Sequence, residues 1–190
     1  SVKKILDEIA SDNSRLHKEA VLLREQSNED LQNVVRATYD PFTQYYVREY
    51  RPVDENMCDP IAFAGISDAI KELGVLSRRE KTGDEARHYL ARIWENLSAD
   101  ETEVLAKVLS RDLKIGASVK TFNKIWPGII KEYPCMLASA YSEKAIAEIN
   151  YPAFSQCKMD GMRCNIIVHA DGNVEVRSRN GRLFETHGIF

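Results

Sequence analysis

The chain has 190 residues, of which 44% are hydrophobic and 29% are charged, and its formal net charge is -3. These values exclude a disordered protein, because the apolar fraction is large enough to fill one sizeable core or two small ones. The longest apolar runs are too short to span a bilayer and no secretory segment opens the sequence, so we expect a soluble, cytoplasmic protein with no membrane partner.

Helical periodicity dominates the first 133 residues. Apolar side chains recur at helical spacing in three successive segments, and Pro41 stops the third. The predicted apolar faces are Val2, Ile5, Leu6 and Ile9, then Leu16, Ala20 and Leu23, then Leu31, Val34, Val35 and Tyr39. We expect all three faces to be core, and we predict a loop at residues 51–56.

Two capping boxes, each a hydroxyl residue followed three positions later by glutamate, predict two further helices. Thr82 with Glu85 opens the first, and Ser98 with Glu101 opens the second. Their predicted apolar faces are Ala86, Tyr89, Leu90, Ile93 and Leu97, then Val104, Leu105, Val108 and Leu109.

The segment 111–131 is locally basic, although the whole chain is slightly acidic. It contains five basic residues and one acidic residue. A glycine-containing turn there precedes Ser118, which is placed to cap the next helix, and backbone N–H groups beside lysines favour phosphate binding. The alternative is a solvated basic face with an ordinary cap. The candidate phosphate-binding residues are Lys114, Gly116, Ala117, Ser118, Lys120 and Lys124.

The character of the sequence changes near Pro134, where helical periodicity gives way to short β-rich runs with Asp-Gly and Asn-Gly turns. Helices followed by strands predict two domains in series and not a parallel α/β sheet. We therefore predict a multidomain chain, with an all-α domain at residues 1–133 and the β-rich beginning of an α+β domain at residues 134–190.

Four cysteines, Cys58, Cys135, Cys157 and Cys164, show neither C-x-x-C pairing nor a histidine at metal-ligand spacing. Neither zinc nor a disulfide framework is therefore expected. Cys157 and Cys164 are predicted to be buried free thiols on strands.

The run KMDGMR at residues 158–163 places Lys158 at a predicted tight turn. Residues 153–157 are predicted to be the strand that enters the turn, and residues 164–168 the strand that leaves it. A lysine must lose its proton before it can attack, and Arg163 is a candidate neighbouring charge that would lower its pKa.

A second element, VRSRNGR at residues 176–182, follows after an Asp-Gly turn and a strand that begins near Val174. The alternative interpretation of this element is a solvated strand edge that carries Arg177, Arg179 and Arg182. The alternative for Asp160 is a simple turn residue.

The patterns K-x-D-G-x-R and S-R-x-G resemble the nucleotide-binding motifs of the covalent nucleotidyltransferases, which are DNA ligases, RNA ligases and mRNA capping enzymes. Together with RDLKIGAS at 111–118, KIWPG at 124–128 and MLAS at 136–139, they look like the ATP-dependent DNA ligases of the T-even bacteriophage type. The resemblance implies a helical DNA-binding domain that grips nicked duplex DNA by its backbone, followed by a nucleotidyltransferase domain. It implies a monomer and, for a viral protein, the host-cell cytoplasm.

In such ligases the lysine attacks the α-phosphate of ATP, AMP passes to the 5′-phosphate of the nick, and the 3′-hydroxyl displaces AMP, with Mg²⁺ neutralising phosphate charge. The resemblance makes Lys158 the nucleophile. Gln156, which stands where relatives often have glutamate, would lie beside the adenine, and Cys157 is expected among the cofactor-binding residues. Arg163 would contact the ribose and Arg179 the AMP or the nick phosphate. The DNA-binding residues implied are Lys114, Gly116, Ala117, Ser118, Lys120 and Lys124, and no metal ligand is expected.

The chain ends at Phe190, before the family motifs that carry the metal-binding carboxylate, the adenine-stacking aromatic residue and the phosphate-binding lysines, and before the C-terminal OB-fold. The resemblance therefore implies the N-terminal portion of a ligase, inactive alone.

Three alternatives stay open. RNA ligases and capping enzymes share the lysine motif, but their nucleotidyltransferase domain usually starts near the N-terminus. An NAD-dependent DNA ligase would show a tyrosine and aspartate pattern that is not seen. A DNA-binding module without catalysis is the alternative from a different class.

Overall fold

The computed structural model describes residues 1–47, 49–51, 64–135, 138, 140–157 and 159–184. These residues fall into two compact units, Ser1–Lys131 and Glu132–Phe190. The described chain is mostly helical and contains one small two-stranded sheet. None of its described helices is long and apolar enough to cross a membrane.

The first unit contains seven helices among its described residues, and each presents an apolar stripe to its neighbours. They are α1 (Val2–Ser11), α2 (Arg15–Arg24), α3 (Glu29–Tyr39), α4 (Ile66–Ser77), α5 (Gly83–Glu95), α6 (Ala99–Leu109) and α7 (Val119–Ile125). Helix α3 contacts α4 and α6, α1 packs on α2 and α6, and α2 contacts α7. The loop between α6 and α7 is therefore bordered by helices from the N-terminal part of the chain.

One hydrophobic core joins these helices. Its largest fully buried side chains include Leu6, Leu31, Leu73, Leu105 and Phe122, which come from five different helices. Burying each side chain of this size contributes roughly 1.5–3 kcal/mol. The first unit thus contains a continuous core on which its loops are fixed.

The predicted apolar faces of α1 and α3 are confirmed, but that of α2 is wrong. Leu16 and Leu23 are 78% and 58% exposed, whereas Lys18, Val21 and Leu22 are buried. Both sets have helical spacing, and the packing of α2 on α1 and α7 selects the second set. The predicted loop at 51–56 lies, apart from Arg51, outside the described residues.

The two predicted capping boxes have different outcomes. At Ser98 the box is complete, because the Ser98 side chain accepts from the Glu101 N–H and the Glu101 carboxylate accepts from the Ser98 N–H. Thr82 is the N-cap of α5, but it makes no side-chain cap hydrogen bond. Glu85 instead accepts from Lys81 at 3.0 Å, so the predicted reciprocal pair is not formed.

The second unit contains a short helix, α8 (Glu143–Ala147), and an antiparallel hairpin of β1 (Cys164–Val168) and β2 (Val174–Ser178). Both predicted hairpin strands are confirmed. The intervening turn is closed by the His169 N–H, which donates to the Asn173 carbonyl at 2.8 Å. Gly172 takes φ 86°, a conformation that a glycine adopts without strain.

Two predictions for the second unit are wrong. Residues 153–157 form no strand and are exposed, because the described sheet consists of β1 and β2 alone and offers them no ladder to join. Cys157 and Cys164 are exposed thiols and not buried ones. Cys58 lies outside the described residues.

Candidate functional site

The loop between α6 and α7, residues 110–118, is the first candidate site. Leu113 and Ile115 are buried in the core, while Lys114 and Gly116 are exposed. This alternation fixes the loop through every second residue and leaves the others facing solvent. An exposed lysine thus stands on a well-anchored backbone.

The loop backbone takes the left-handed conformation at Arg111, Lys114 and Gly116, with φ values of 59°, 55° and 60°. Residues other than glycine pay about 1 kcal/mol or more for this conformation, so surrounding contacts must hold them in place. The Arg111 guanidinium provides such contacts by donating to the backbone carbonyls of Asp40 and Thr43. The start of the loop is therefore tied to the end of α3.

The structure brings the six predicted DNA-binding residues together in this loop and on α7. The Ser118 Oγ accepts from the Thr121 N–H at 3.3 Å, which confirms Ser118 as the N-cap of α7. Ala117 is partly buried against the core, so any ligand contact from it would come from its backbone. Lys114 and Lys120 are exposed, and their side chains form no hydrogen bond or ion pair with other described residues.

Lys124 differs from these two lysines, because its ammonium forms an ion pair with Glu19 of α2. Glu19 also accepts from Arg15 at 2.7 Å, and its side chain is 14% exposed. The pKa of Glu19 is lowered most by the hydrogen bond from Lys124 and next by the hydrogen bond from Arg15. The positive charge of Lys124 is therefore balanced by a carboxylate of the same chain.

Sequence reasoning missed three residues that shape this site: Lys18, Glu19 and Arg111. The signal for Lys18 was its spacing, three residues before Val21 and four before Leu22, which places it on the buried face of α2. No local pattern signals the contact of Glu19 with Lys124 or the contacts of Arg111, because these partners are distant in the sequence.

In the second unit, Arg163 and Arg179 flank the hairpin. Cys164 pairs with Ser178 at the end of the ladder, so the residue before β1 and the residue after β2 lie at the same end of the sheet. Both arginines are exposed, and the Arg163 guanidinium donates to the Cys135 Sγ at 3.2 Å. Two predicted nucleotide-binding residues are thus brought to one end of the hairpin.

Arg179 stands on a tight turn that follows β2. The Gly181 N–H donates to the Ser178 carbonyl at 2.9 Å, and the Arg177 guanidinium donates to the Gly181 carbonyl at 2.9 Å. Arg177 also pairs with Glu175 at 2.6 Å and is the largest cause of that carboxylate's lowered pKa. Arg177 therefore holds the turn, while Arg179 is presented to solvent.

Lys158, the predicted nucleophile, lies outside the described residues, and so do three of the four residues of the MLAS run. Its neighbours Gln156, Cys157 and Asp160 are exposed. The roles assigned to Lys158 and to these neighbours stay predictions.

The described residues form no cluster of metal ligands, because no three His, Cys, Asp or Glu side chains among them converge on one point. No residue in this part of the chain is therefore assigned to Mg²⁺.

The chain is similar to two curated DNA ligases. It is 40% identical over 187 residues to the DNA ligase of Enterobacteria phage T4 and, to the same extent, to that of Enterobacteria phage T6. Each match covers 96% of this chain and 38% of the relative, so the chain spans less than half the length of these ligases. The predicted resemblance to ligases of the T-even phage type is confirmed. No protein-family model matches the chain.

Two solved structures share the fold. A chain called Pmar-Lig_Pre. superposes with a TM-score of 0.70 at 28% identity, covering 99% of this chain and 44% of that one. A chain called Pmar-Lig_PreS3 gives a TM-score of 0.65 at 27% identity, covering 97% and 43%.

Proposed function

We propose that the chain acts in an ATP-dependent DNA ligase that seals nicks in duplex DNA. The observation that carries this proposal is the 40% identity to two phage DNA ligases over 187 residues. A contiguous match to 96% of the chain must include both the basic loop at 111–118 and the lysine motif at 158–163. We assign residues 1–133 to a DNA-binding domain and residues 134–190 to the start of a nucleotidyltransferase domain.

The DNA-binding domain would grip the duplex through phosphates and not through bases. Lys114, Lys120 and Lys124 supply positive charge on and beside one exposed loop, and Gly116 leaves the backbone there uncovered. Phosphate contacts position a protein without reading sequence, which is what an enzyme acting on any nick requires.

The chemistry would begin at Lys158. Its neutral amine would attack the α-phosphate of ATP, a nitrogen–phosphorus bond would form, and pyrophosphate would leave with the electron pair of the broken oxygen–phosphorus bond. AMP would then pass to the 5′-phosphate of the nick, and the 3′-hydroxyl would displace it to form the phosphodiester.

The two exposed arginines support this assignment. Arg163 and Arg179 lie at the same end of the hairpin, where their guanidinium groups can approach a single polyanionic ligand. We assign Arg163 to the ribose and Arg179 to the AMP or nick phosphate. Gln156 and Cys157, both exposed before the lysine, are assigned to the adenine side.

Covalent labelling tests the proposal. The chain would be joined at its C-terminus to the remaining part of the phage T4 enzyme and incubated with ATP and magnesium, with the T4 enzyme as positive control. Mass spectrometry should find one added AMP on the fusion, and the fusion should seal a nicked duplex. The 190-residue chain alone should carry no AMP.

The competing functions predict other results. A binding module without catalysis would give no AMP on the folded fusion, although it would still bind duplex DNA. An RNA ligase would seal a nick in RNA in preference to one in DNA. Either result would reject the DNA ligase assignment.

A further inference from the structure

Lys18 is the buried charged residue among the described residues of the first unit. It lies on α2 and is only 5% exposed, although lysine is almost never fully buried without a partner. Its ammonium donates to the Ile115 carbonyl at 2.7 Å and to the Gly116 carbonyl at 3.3 Å. Two backbone oxygens of the candidate DNA-binding loop are thus bonded to one buried cation.

Gly116 and Lys18 fit each other closely. A Cβ atom built on Gly116 would lie 2.6 Å from the Lys18 Nζ, and the Gly116 backbone has φ 60°. A larger residue at position 116 would therefore push against the ammonium and also be strained by its own backbone. The position of the Lys18 ammonium and the backbone conformation together account for a glycine at position 116.

The contact determines which way the loop faces. Because the Ile115 and Gly116 carbonyls turn inward to Lys18, the peptide units 115–116 and 116–117 are both fixed against α2. Lys114 stands immediately before these two units with its side chain exposed. A flip of the 115–116 peptide would take the nearer acceptor, the Ile115 carbonyl, away from the buried ammonium, so the ammonium opposes that flip.

We propose that Lys18 is a positioning residue for DNA binding: it touches no DNA, and it holds the loop at 114–118 in the conformation that presents Lys114 to a backbone phosphate. This inference rests on the proposed function, because it assumes that the loop binds duplex DNA. Lys18 acts through Ile115 and Gly116, because its ammonium is too deeply buried to contact a phosphate directly.

The test uses the 190-residue chain and a fluorescent nicked duplex, with affinity measured by anisotropy at several salt concentrations. Lys18→Met removes the buried donor at similar side-chain length. Lys4→Met is the matched control, because Lys4 is exposed on α1 and its replacement changes the net charge equally. We expect Lys18→Met to weaken binding about tenfold, because the loop occupies its binding conformation less often without the buried donor, and Lys4→Met to change binding little.

A double-mutant cycle separates positioning from general loss of stability. If Lys18 acts through the loop, Lys114→Met should weaken binding severalfold in the wild-type background and far less in the Lys18→Met background. Equal effects of Lys114→Met in the two backgrounds would overturn the proposal.

Hydrogen exchange gives a readout that does not depend on DNA. Amides at residues 113–118 should exchange faster in Lys18→Met, while those of α1 and α3 remain as in the wild type. Gly116→Ala perturbs the same contact from the other side and should give the same local change. Failure of the wild-type chain to bind any duplex would reject the proposed function, whereas wild-type binding with unaltered affinity in Lys18→Met would reject only the positioning role.

Discussion

Glu19 of α2 and Lys124 of α7 form an ion pair across 105 positions of sequence. Lys124 is one of the three lysines assigned to DNA, and it is the one whose charge a carboxylate already balances. A phosphate that approaches Lys124 must compete with Glu19, whereas a phosphate that approaches Lys120 meets no such competitor among the described residues. The two lysines are therefore not equivalent, although they lie one turn apart on the same helix.

The first prediction compares these two lysines by the salt dependence of DNA binding. Lys120→Met should reduce the slope of log affinity against log salt by about 0.9, the value for one lost phosphate contact. Lys124→Met should reduce it by clearly less, because Glu19 already neutralises that charge. Replacement of both lysines by glutamate should weaken binding further. Anisotropy titrations of the 190-residue chain at four salt concentrations measure these slopes.

A second prediction follows from the same ion pair. Glu19→Gln should strengthen DNA binding and steepen the salt slope, because Lys124 becomes available to a phosphate. Glu8→Gln is the matched control, because Glu8 also forms an ion pair with a basic residue of α2, Arg24, at 2.7 Å, and its replacement changes the net charge equally. In the Glu19→Gln background, Lys124→Met should then show a full effect. Weaker binding by Glu19→Gln than by the wild type would contradict this account.

A third prediction concerns the covalent step. Lys158→Arg keeps the positive charge, but a guanidinium cannot be deprotonated in proteins and so cannot serve as the nucleophile. The fusion with the remainder of the phage T4 enzyme should lose its AMP adduct entirely and still bind nicked duplex. Lys144→Arg, at an exposed position of α8, is the control and should label normally. Persistent labelling of Lys158→Arg at another lysine would disprove the assigned nucleophile.

The fourth prediction uses the two helix caps. Ser98→Ala should lower the free energy of unfolding by about 1 kcal/mol, because it removes a formed capping box. Thr82→Ala should cost only a few tenths of a kcal/mol, because the Thr82 side chain makes no cap hydrogen bond. Urea unfolding with an unchanged slope would measure both costs. Equal costs would mean that Thr82 caps α5 in solution.

The same pair of caps shows what sequence can predict. The hydroxyl and glutamate spacing is local, so it locates the start of both helices correctly. Whether the reciprocal bonds form depends on competing partners, and at Glu85 the neighbouring Lys81 takes the carboxylate. Helix position was therefore predictable, and the bonding at its first turn was not.

Long-range packing limited the prediction of the candidate site in the same way. Leu16 and Leu23 have helical spacing, and so does Lys18 with Val21 and Leu22; only contact with α1 and α7 selects the second set. The hydrophobicity of the two leucines favoured the wrong face. Because the right face includes a lysine, its role under the loop could not be found from apolar periodicity.

For the hairpin, local signals were sufficient. Alternating residues and an Asp-Gly turn predicted both strands, and antiparallel pairing then brings Arg163 and Arg179 to one end of the sheet. Residues 153–157 have a similar β-rich composition but no strand to pair with in the described sheet. Composition indicates that a segment can be a strand, and only a hydrogen-bonding partner makes it one.

The last prediction concerns stability at high pH. Tyr45 is 5% exposed, its hydroxyl donates to the Ala37 carbonyl at 3.1 Å, and burial raises its pKa to about 12. An unfolded tyrosine ionises near pH 10, so the unfolded state loses its proton first and the folded state is progressively destabilised between about pH 10 and pH 12. The contribution of Tyr45 is thus fully present below about pH 10, and the loss above it is on the order of 2 kcal/mol.

Tyr45→Phe should therefore cost about 1 kcal/mol at neutral pH, where it removes a buried hydrogen bond, but should make the alkaline decline shallower. Tyr141→Phe is the control, because Tyr141 is 82% exposed and its replacement removes the same hydroxyl group from the surface. Urea unfolding at neutral pH and at about pH 11 gives the two free energies for each variant. The pKa of Tyr89 is also raised to about 12, by burial and by the hydrogen bond to Glu72. Tyr89 would therefore preserve part of the alkaline decline in Tyr45→Phe. A decline identical to that of the wild type would refute the role of Tyr45.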